Sequence, residues 1–136
     1  LYYCLNAVTA PEGEAEAVLI RAIEPTENGL QMWRNRSQSA IRKPSPTPRT
    51  VTEPDEATAR LMREITAGPG RVGQALSVDR ALNHTDLTDT SSPVMIADGD
   101  AVPDSDVVTT TRIGITKGAD WPYRFYVRSS RFVSKR

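Results

Sequence analysis

Tyr2-Tyr3-Cys4-Leu5-Asn6-Ala7-Val8-Thr9 and Ala17-Val18-Leu19-Ile20-Arg21-Ala22-Ile23-Glu24 are two runs of apolar, β-branched and aromatic residues. Pro11-Glu12-Gly13 stands between them, a proline and a glycine on either side of a polar residue, which is turn chemistry. The spacing predicts an antiparallel β-hairpin over residues 2–9 and 17–24. Two residues in it are out of place. Asn6 is a type depleted from strands, so it either ends the strand or presents its amide to a pocket. Arg21 sits inside an apolar run, where it forms either a structural ion pair, with Glu24 or another carboxylate, or a fork of donors for a polar reactant in a cleft.

Working outward, Thr26 to Ser37 reads as a short helix with Leu30, Met32 and Trp33 on its buried side. Lys43-Pro44-Ser45-Pro46-Thr47-Pro48 is an extended linker. Thr52 caps a second helix that has Pro54 in its first turn and Leu61, Met62 and Ile65 along one side. Gly68-Pro69-Gly70 ends it, and a third short helix begins over Arg71 to Val78. Val94 to Ile96, Val107 to Ile115 and Arg124 to Val127 read as strands. Strands at both ends with helices between them predict an α+β fold in a single domain over residues 1–136, with no internal repeat.

Composition narrows the function. Net charge is zero, yet charge is blocky: residues 79–106 carry mostly aspartate, whereas 112–136 carry Arg112, Lys117, Arg124, Arg128, Arg131, Lys135 and Arg136 against Asp120 alone. Such a segregated field suits a polyanion, and the interleaved Phe125, Tyr126 and Phe132 suit either a core or base stacking. No apolar run approaches the ~18 residues of a membrane-spanning helix. One cysteine, Cys4, and one histidine, His84, exclude an internal disulfide and an ordinary Cys/His zinc site, and no metal or other cofactor is expected. Gly68-Pro69-Gly70-Arg71 resembles a phosphate-binding turn but lacks the Lys-Ser/Thr pair of a nucleotide-binding loop, which excludes ATP and GTP. His84, flanked by turn formers, is expected to be exposed and idle. The chain opens inside a strand without an initiator Met, which suggests the later part of a longer product.

Taken together, several blocks resemble the alkyladenine (3-methyladenine) DNA glycosylase family. They are Tyr2-Tyr3-Cys4-Leu5-Asn6, Ala17 to Pro25, Gly68-Pro69-Gly70-Arg71-Val72-Gly73-Gln74-Ala75-Leu76, Asp86-Leu87, Arg112-Ile113-Gly114-Ile115, and Arg124 to Ser130 through Val133-Ser134. Their order is the family's, and they cover nearly the whole chain. The resemblance implies a curved, partly open, barrel-like antiparallel sheet flanked by short helices. It also implies a monofunctional, monomeric base-excision-repair enzyme acting at DNA inside the cell, with damaged double-stranded DNA as partner and no membrane. Such an enzyme bends the duplex from the minor groove, flips out an alkylated purine and hydrolyses its N-glycosidic bond.

On this resemblance Arg21 and the carbonyl of Ile113 hold the attacking water, and the Asn6 amide forms a pocket floor that excludes the 2-amino group of guanine. Leu1 and Tyr2 line the minor groove, Gly114 lets backbone approach DNA closely, and Arg71, Arg112 and Lys117 face phosphates. No residue of the chain matches the family's catalytic glutamate, its wedge tyrosine or the aromatic residues that sandwich the flipped base. Ser129 stands where some members have glycine, and Phe132 where they have tryptophan. The expectation is half an active site, inactive by itself. The alternatives are a nucleic-acid-binding module without catalysis and a formyltransferase C-terminal-like domain.

Overall fold

The computed structural model describes residues 2–38 and 56–133. Leu1, the proline-rich stretch, the Thr52 cap and the last three residues lie outside the described residues. The hairpin forms as expected but is shorter. Strands β1 (Asn6–Val8) and β2 (Ala17–Leu19) pair antiparallel in the register Asn6↔Leu19, Ala7↔Val18, Val8↔Ala17. Backbone bonds from Thr9 N–H to the Glu16 carbonyl (3.2 Å) and from Ile20 N–H to the Leu5 carbonyl (3.0 Å) continue the pairing beyond both ends. Glu14 N–H closes the turn on the Pro11 carbonyl at 3.1 Å, and Gly13 takes the left-handed φ of 98° that the third position of this turn demands.

Three helices follow: α1 (Gly29–Gln38), α2 (Glu56–Thr66) and α3 (Pro69–Ala75). They pack on one another, and Ile65, Val72 and Ala75 are buried between them. Gly68, with φ 141°, breaks the chain between α2 and α3, and Pro69 starts α3 where its missing N–H costs no helical bond. The third helix therefore starts earlier than expected.

The buried side of α1 differs from expectation. Leu30 is exposed, whereas Arg36 is 4% exposed. At 100° per residue Met32 and Trp33 lie on the side of Arg36, while Leu30 falls well round the helix. Arg36 is held because its Nη1 donates to the Glu64 carbonyl of α2 at 2.6 Å and its Nε to Gln74 Oε1 of α3 at 3.5 Å. Asn35 Nδ2 adds a 2.8 Å bond to the Ala75 carbonyl at the end of α3. One turn of α1 thus ties all three helices together.

Strands β3 (Val107–Thr110) and β4 (Arg124–Val127) make a second antiparallel pair, Val107↔Val127 through Thr110↔Arg124. β4 has the expected bounds. β3 ends at Thr110 rather than Ile115, because the chain turns into a loop with Gly114 at φ 75° and Gly118 at φ 61°. Val94 to Ile96 is not a strand; one bond from Ile96 N–H to the Leu87 carbonyl (2.8 Å) holds it. The architecture is α+β, with two separate two-stranded sheets and no closed barrel among the described residues.

Candidate active site

The first hairpin and the segment that continues it carry two expected site residues, Asn6 in β1 and Arg21 after β2. Asn6 pairs with Leu19. Arg21 follows two residues beyond Leu19, past the end of β2. The backbone around Arg21 is held from both sides: Ile20 N–H bonds Leu5, and Ala22 forms an antiparallel bridge with Ala67 just beyond α2. Thr66, fully buried, donates its hydroxyl to the Ile23 carbonyl at 2.7 Å and fastens the same segment to α2.

Arg21 is half-buried, and among the described residues its guanidinium has no hydrogen-bond or ion-pair partner. The structural ion pair with Glu24 is not formed. An uncommitted fork of donors can serve a polar ligand. The Asn6 amide is exposed, and its Nδ2 donates to the Cys4 carbonyl at 3.3 Å. That bond aims the amide with the curve of the chain entering β1.

The entering segment lies against α3. A Cβ on Gly73 would collide with the Tyr3 carbonyl oxygen, and one on Gly70 would come within 2.5 Å of the Tyr2 ring. Two glycines three residues apart thus open a seat for Tyr2 to Cys4. Arg71, between them, is half-buried on the same helix.

Ile113, Gly114, Arg112 and Lys117 lie elsewhere, in the loop joining β3 to β4. Gly114 meets nothing within 4 Å of a Cβ, so its surface is open to a close approach. Lys117 is exposed. Arg112 is engaged inside the loop: Nε donates to the Gly118 carbonyl at 3.1 Å, and Nη2 donates to the Lys117 carbonyl at 2.8 Å and the Gly118 carbonyl at 3.0 Å. Its guanidinium carbon also lies 5.6 Å from the centre of the Trp121 ring. No hydrogen bond joins this loop to Asn6 or Arg21 among the described residues. Sequence inspection missed Gly118 and Trp121 as partners of Arg112. The only signal was a glycine and a tryptophan shortly after an arginine.

The basic C-terminal stretch is not a uniform solvated face. Arg124 is 8% exposed and lies 4.6 Å from the Tyr126 ring centre, while Arg128 Nη2 donates to the Ser105 carbonyl at 3.4 Å. Trp121, Tyr123 and Phe125 are exposed, and Trp121 meets Tyr123 edge-on at 5.7 Å. In the acidic stretch, hydrogen bonds from the Thr88 hydroxyl and N–H hold the Asp86 carboxyl below its ordinary range, and bonds from Ser91 N–H and hydroxyl do the same for Asp89. His84 is exposed, with a left-handed φ of 64°. Among the described residues no three His, Cys, Asp or Glu side chains converge as metal ligands, and no helix is long and apolar enough to cross a membrane.

Comparison with known proteins places the chain among relatives. The chain is 37% identical over 136 residues to a protein of Carboxydothermus hydrogenoformans, covering 100% of this chain and 60% of that protein. It is 40% identical over 134 residues to one of Salinibacter ruber, covering 98% and 54%. A protein of Methanoculleus marisnigri is 37% identical over 139 residues, with 100% and 60% covered. All three carry the name "Putative 3-methyladenine DNA glycosylase". The chain thus spans somewhat more than half the length of the curated relatives it matches. The profile described as methylpurine-DNA glycosylase matches residues 1–131, and with the hairpin, the glycine-seated entry to β1 and the β3–β4 loop falling inside that match, the chain belongs to the methylpurine-DNA glycosylase family.

Proposed function

We propose that this protein is a monofunctional DNA glycosylase that flips alkylated purines, 3-methyladenine-like bases first among them, out of double-stranded DNA and hydrolyses their N-glycosidic bonds. The observation that supports this reading is the first hairpin, where Asn6 lies in β1 and Arg21, two residues past the end of β2, has no hydrogen-bond or ion-pair partner among the described residues. Asn6 meets the purine edge as a pocket floor and rejects the 2-amino group of guanine. Arg21 donates to the attacking water, and the Ile113 carbonyl accepts from it. In the reaction the water oxygen bonds to the sugar carbon, the C–N bond breaks, and its electron pair leaves with the base. An alkylated adenine already carries positive charge, so it departs more readily than a normal base. The water's proton goes to a general base, a glutamate in the family's scheme, which no residue of this chain matches. The 136-residue chain alone is therefore proposed to be inactive.

Tyr2 and Leu1 are proposed to line the minor groove, Gly114 to admit close approach, and Arg71 and Lys117 to contact phosphates. At the length of its relatives the protein acts as a monomer on DNA inside the cell, without a membrane. The two small sheets are proposed to belong to the curved, partly open sheet expected from the sequence.

Two substitutions in the intact protein separate selection from chemistry. Asn6→Ser widens the pocket floor and is expected to raise release of N-methylated guanine relative to alkylated adenine. Arg21→Ala is expected to slow every substrate, the poorest leaving groups most, because they depend most on an oriented water. An unchanged guanine-to-adenine ratio in the first, with only a lowered Tm in the second, would make both residues structural and overturn the assignment.

A further inference from the structure

The engagement of Arg112 inside its own loop bears on what that residue does. Its Nε and Nη2 spend their donors on the carbonyls of Lys117 and Gly118, at 2.8–3.1 Å. This closes the chain on itself across Ile113-Gly114-Ile115-Thr116. Trp121 covers the guanidinium, and Trp121 N–H bonds the Gly118 carbonyl at 3.2 Å, so the same carbonyl collects both ends of the clasp. Gly118 is adapted to this role. Its φ of 61° disfavours other residues, and a Cβ there would stand 2.5 Å from Arg112 Nη2 and 2.9 Å from the Trp121 ring. A guanidinium placed to take a phosphate would present its fork outward, whereas here most of the fork faces inward.

We propose that Arg112 is a positioning residue: with Gly118 and Trp121 it holds the turn that aims the Ile113 carbonyl, rather than neutralising a DNA phosphate. The inference rests on the reading above, in which that carbonyl helps hold the water. Only the planar fork of arginine can reach two successive carbonyls and lie against the indole at once, so lysine does not replace it despite equal charge.

Two variants of the intact protein test this. Arg112→Lys keeps the charge and removes the fork. Gly118→Ala leaves every charge untouched and pushes Nη2 out of place. Both are expected to lower the single-turnover rate of base release from methylated duplex DNA by about tenfold to a hundredfold. Both should leave unchanged the slope of log K against log salt for binding undamaged duplex. A phosphate contact predicts the reverse: Arg112→Lys and Gly118→Ala would keep wild-type rates, and Arg112→Ala would flatten the slope by about 0.9. That outcome overturns the proposal. Hydrogen exchange of the amides of residues 113–118 decides the clasp separately from activity. Faster exchange in Arg112→Lys, with the rest of the protein unchanged, supports it even if the wild type releases no base, a result that would sink the glycosylase reading alone. Unchanged exchange rejects the clasp.

Discussion

Four arginines of this chain behave differently because each meets a different set of neighbours. Arg36 is buried against a helix-end carbonyl and a glutamine, Arg124 lies on a tyrosine face, Arg112 folds back on its own loop, and Arg21 has no side-chain partner among the described residues. Burial of an unpaired charge is costly, so the half-exposed setting of Arg21 is what makes its unpartnered state tolerable. A smaller residue-scale effect lies in the acidic stretch. Asp86 accepts from the Thr88 hydroxyl at 2.7 Å and its N–H at 2.8 Å, which lowers its pKa in the folded protein. A group whose folded pKa is depressed contributes stability above its unfolded value and loses it as pH falls through the folded value. The Asp86–Thr88 turn should accordingly stay closed through neutral pH and open only on strong acidification. Thr88→Val should move the Asp86 titration upward toward that of an ordinary aspartate, as followed by carboxyl carbon NMR. An unmoved titration would deny the hydroxyl its role.

Among the elements, α3 decides how the first hairpin is presented. Its Gly73 lies under the Tyr3 carbonyl and its Gly70 under the Tyr2 ring. The two glycines should answer differently to the same change. Alanine gains up to about 1 kcal/mol over glycine in a helix interior. At Gly73 the atom in the way is backbone leading directly into β1, so overpacking wins and Gly73→Ala should cost about 1–3 kcal/mol in urea unfolding of the intact protein. At Gly70 the obstacle is the ring of Tyr2, which is 55% exposed and can swing aside. Gly70→Ala should therefore be near neutral. Equal losses at both positions would mean that the entering segment is not seated as described. The seat also bears on the site, because the Cys4 carbonyl that holds the Asn6 amide follows Tyr3 directly.

At the scale of the whole molecule, little apolar surface is covered among the described residues. Ile65, Val72, Ala75 and Phe132 are the buried hydrophobic residues among those described, while Tyr2, Tyr3, Val8, Val18, Ile115, Trp121, Tyr123 and Phe125 are exposed. Both sheets have two strands, a size that is marginal in water without further cover. The 136-residue chain by itself should accordingly unfold without a sharp transition or self-associate. A cooperative melt of a monomeric sample above about 55 °C, within the ordinary mesophile range, would count against this.

Local pattern was enough for the turn at Pro11-Glu12-Gly13, the pairing of the first hairpin and the bounds of β4. Each depends on residues within a few positions of one another, where alternation and glycine chemistry act directly. The family could also be read from the ordered blocks. Long-range contacts decided the rest. Leu30 gave way to Arg36 because the carbonyl of Glu64 and the amide of Gln74, far along the chain, offer a buried cation the partners that pattern alone cannot reveal. Val94 to Ile96, apolar enough for a strand, found no neighbouring strand to pair with among the described residues, and strands exist only as pairs. Arg112 looked like one of a row of exposed charges until the left-handed turn at Gly118 brought two carbonyls and an indole to its fork. Charge and residue type are properties of sequence, but what a charge touches is set by the path of the chain that returns to it.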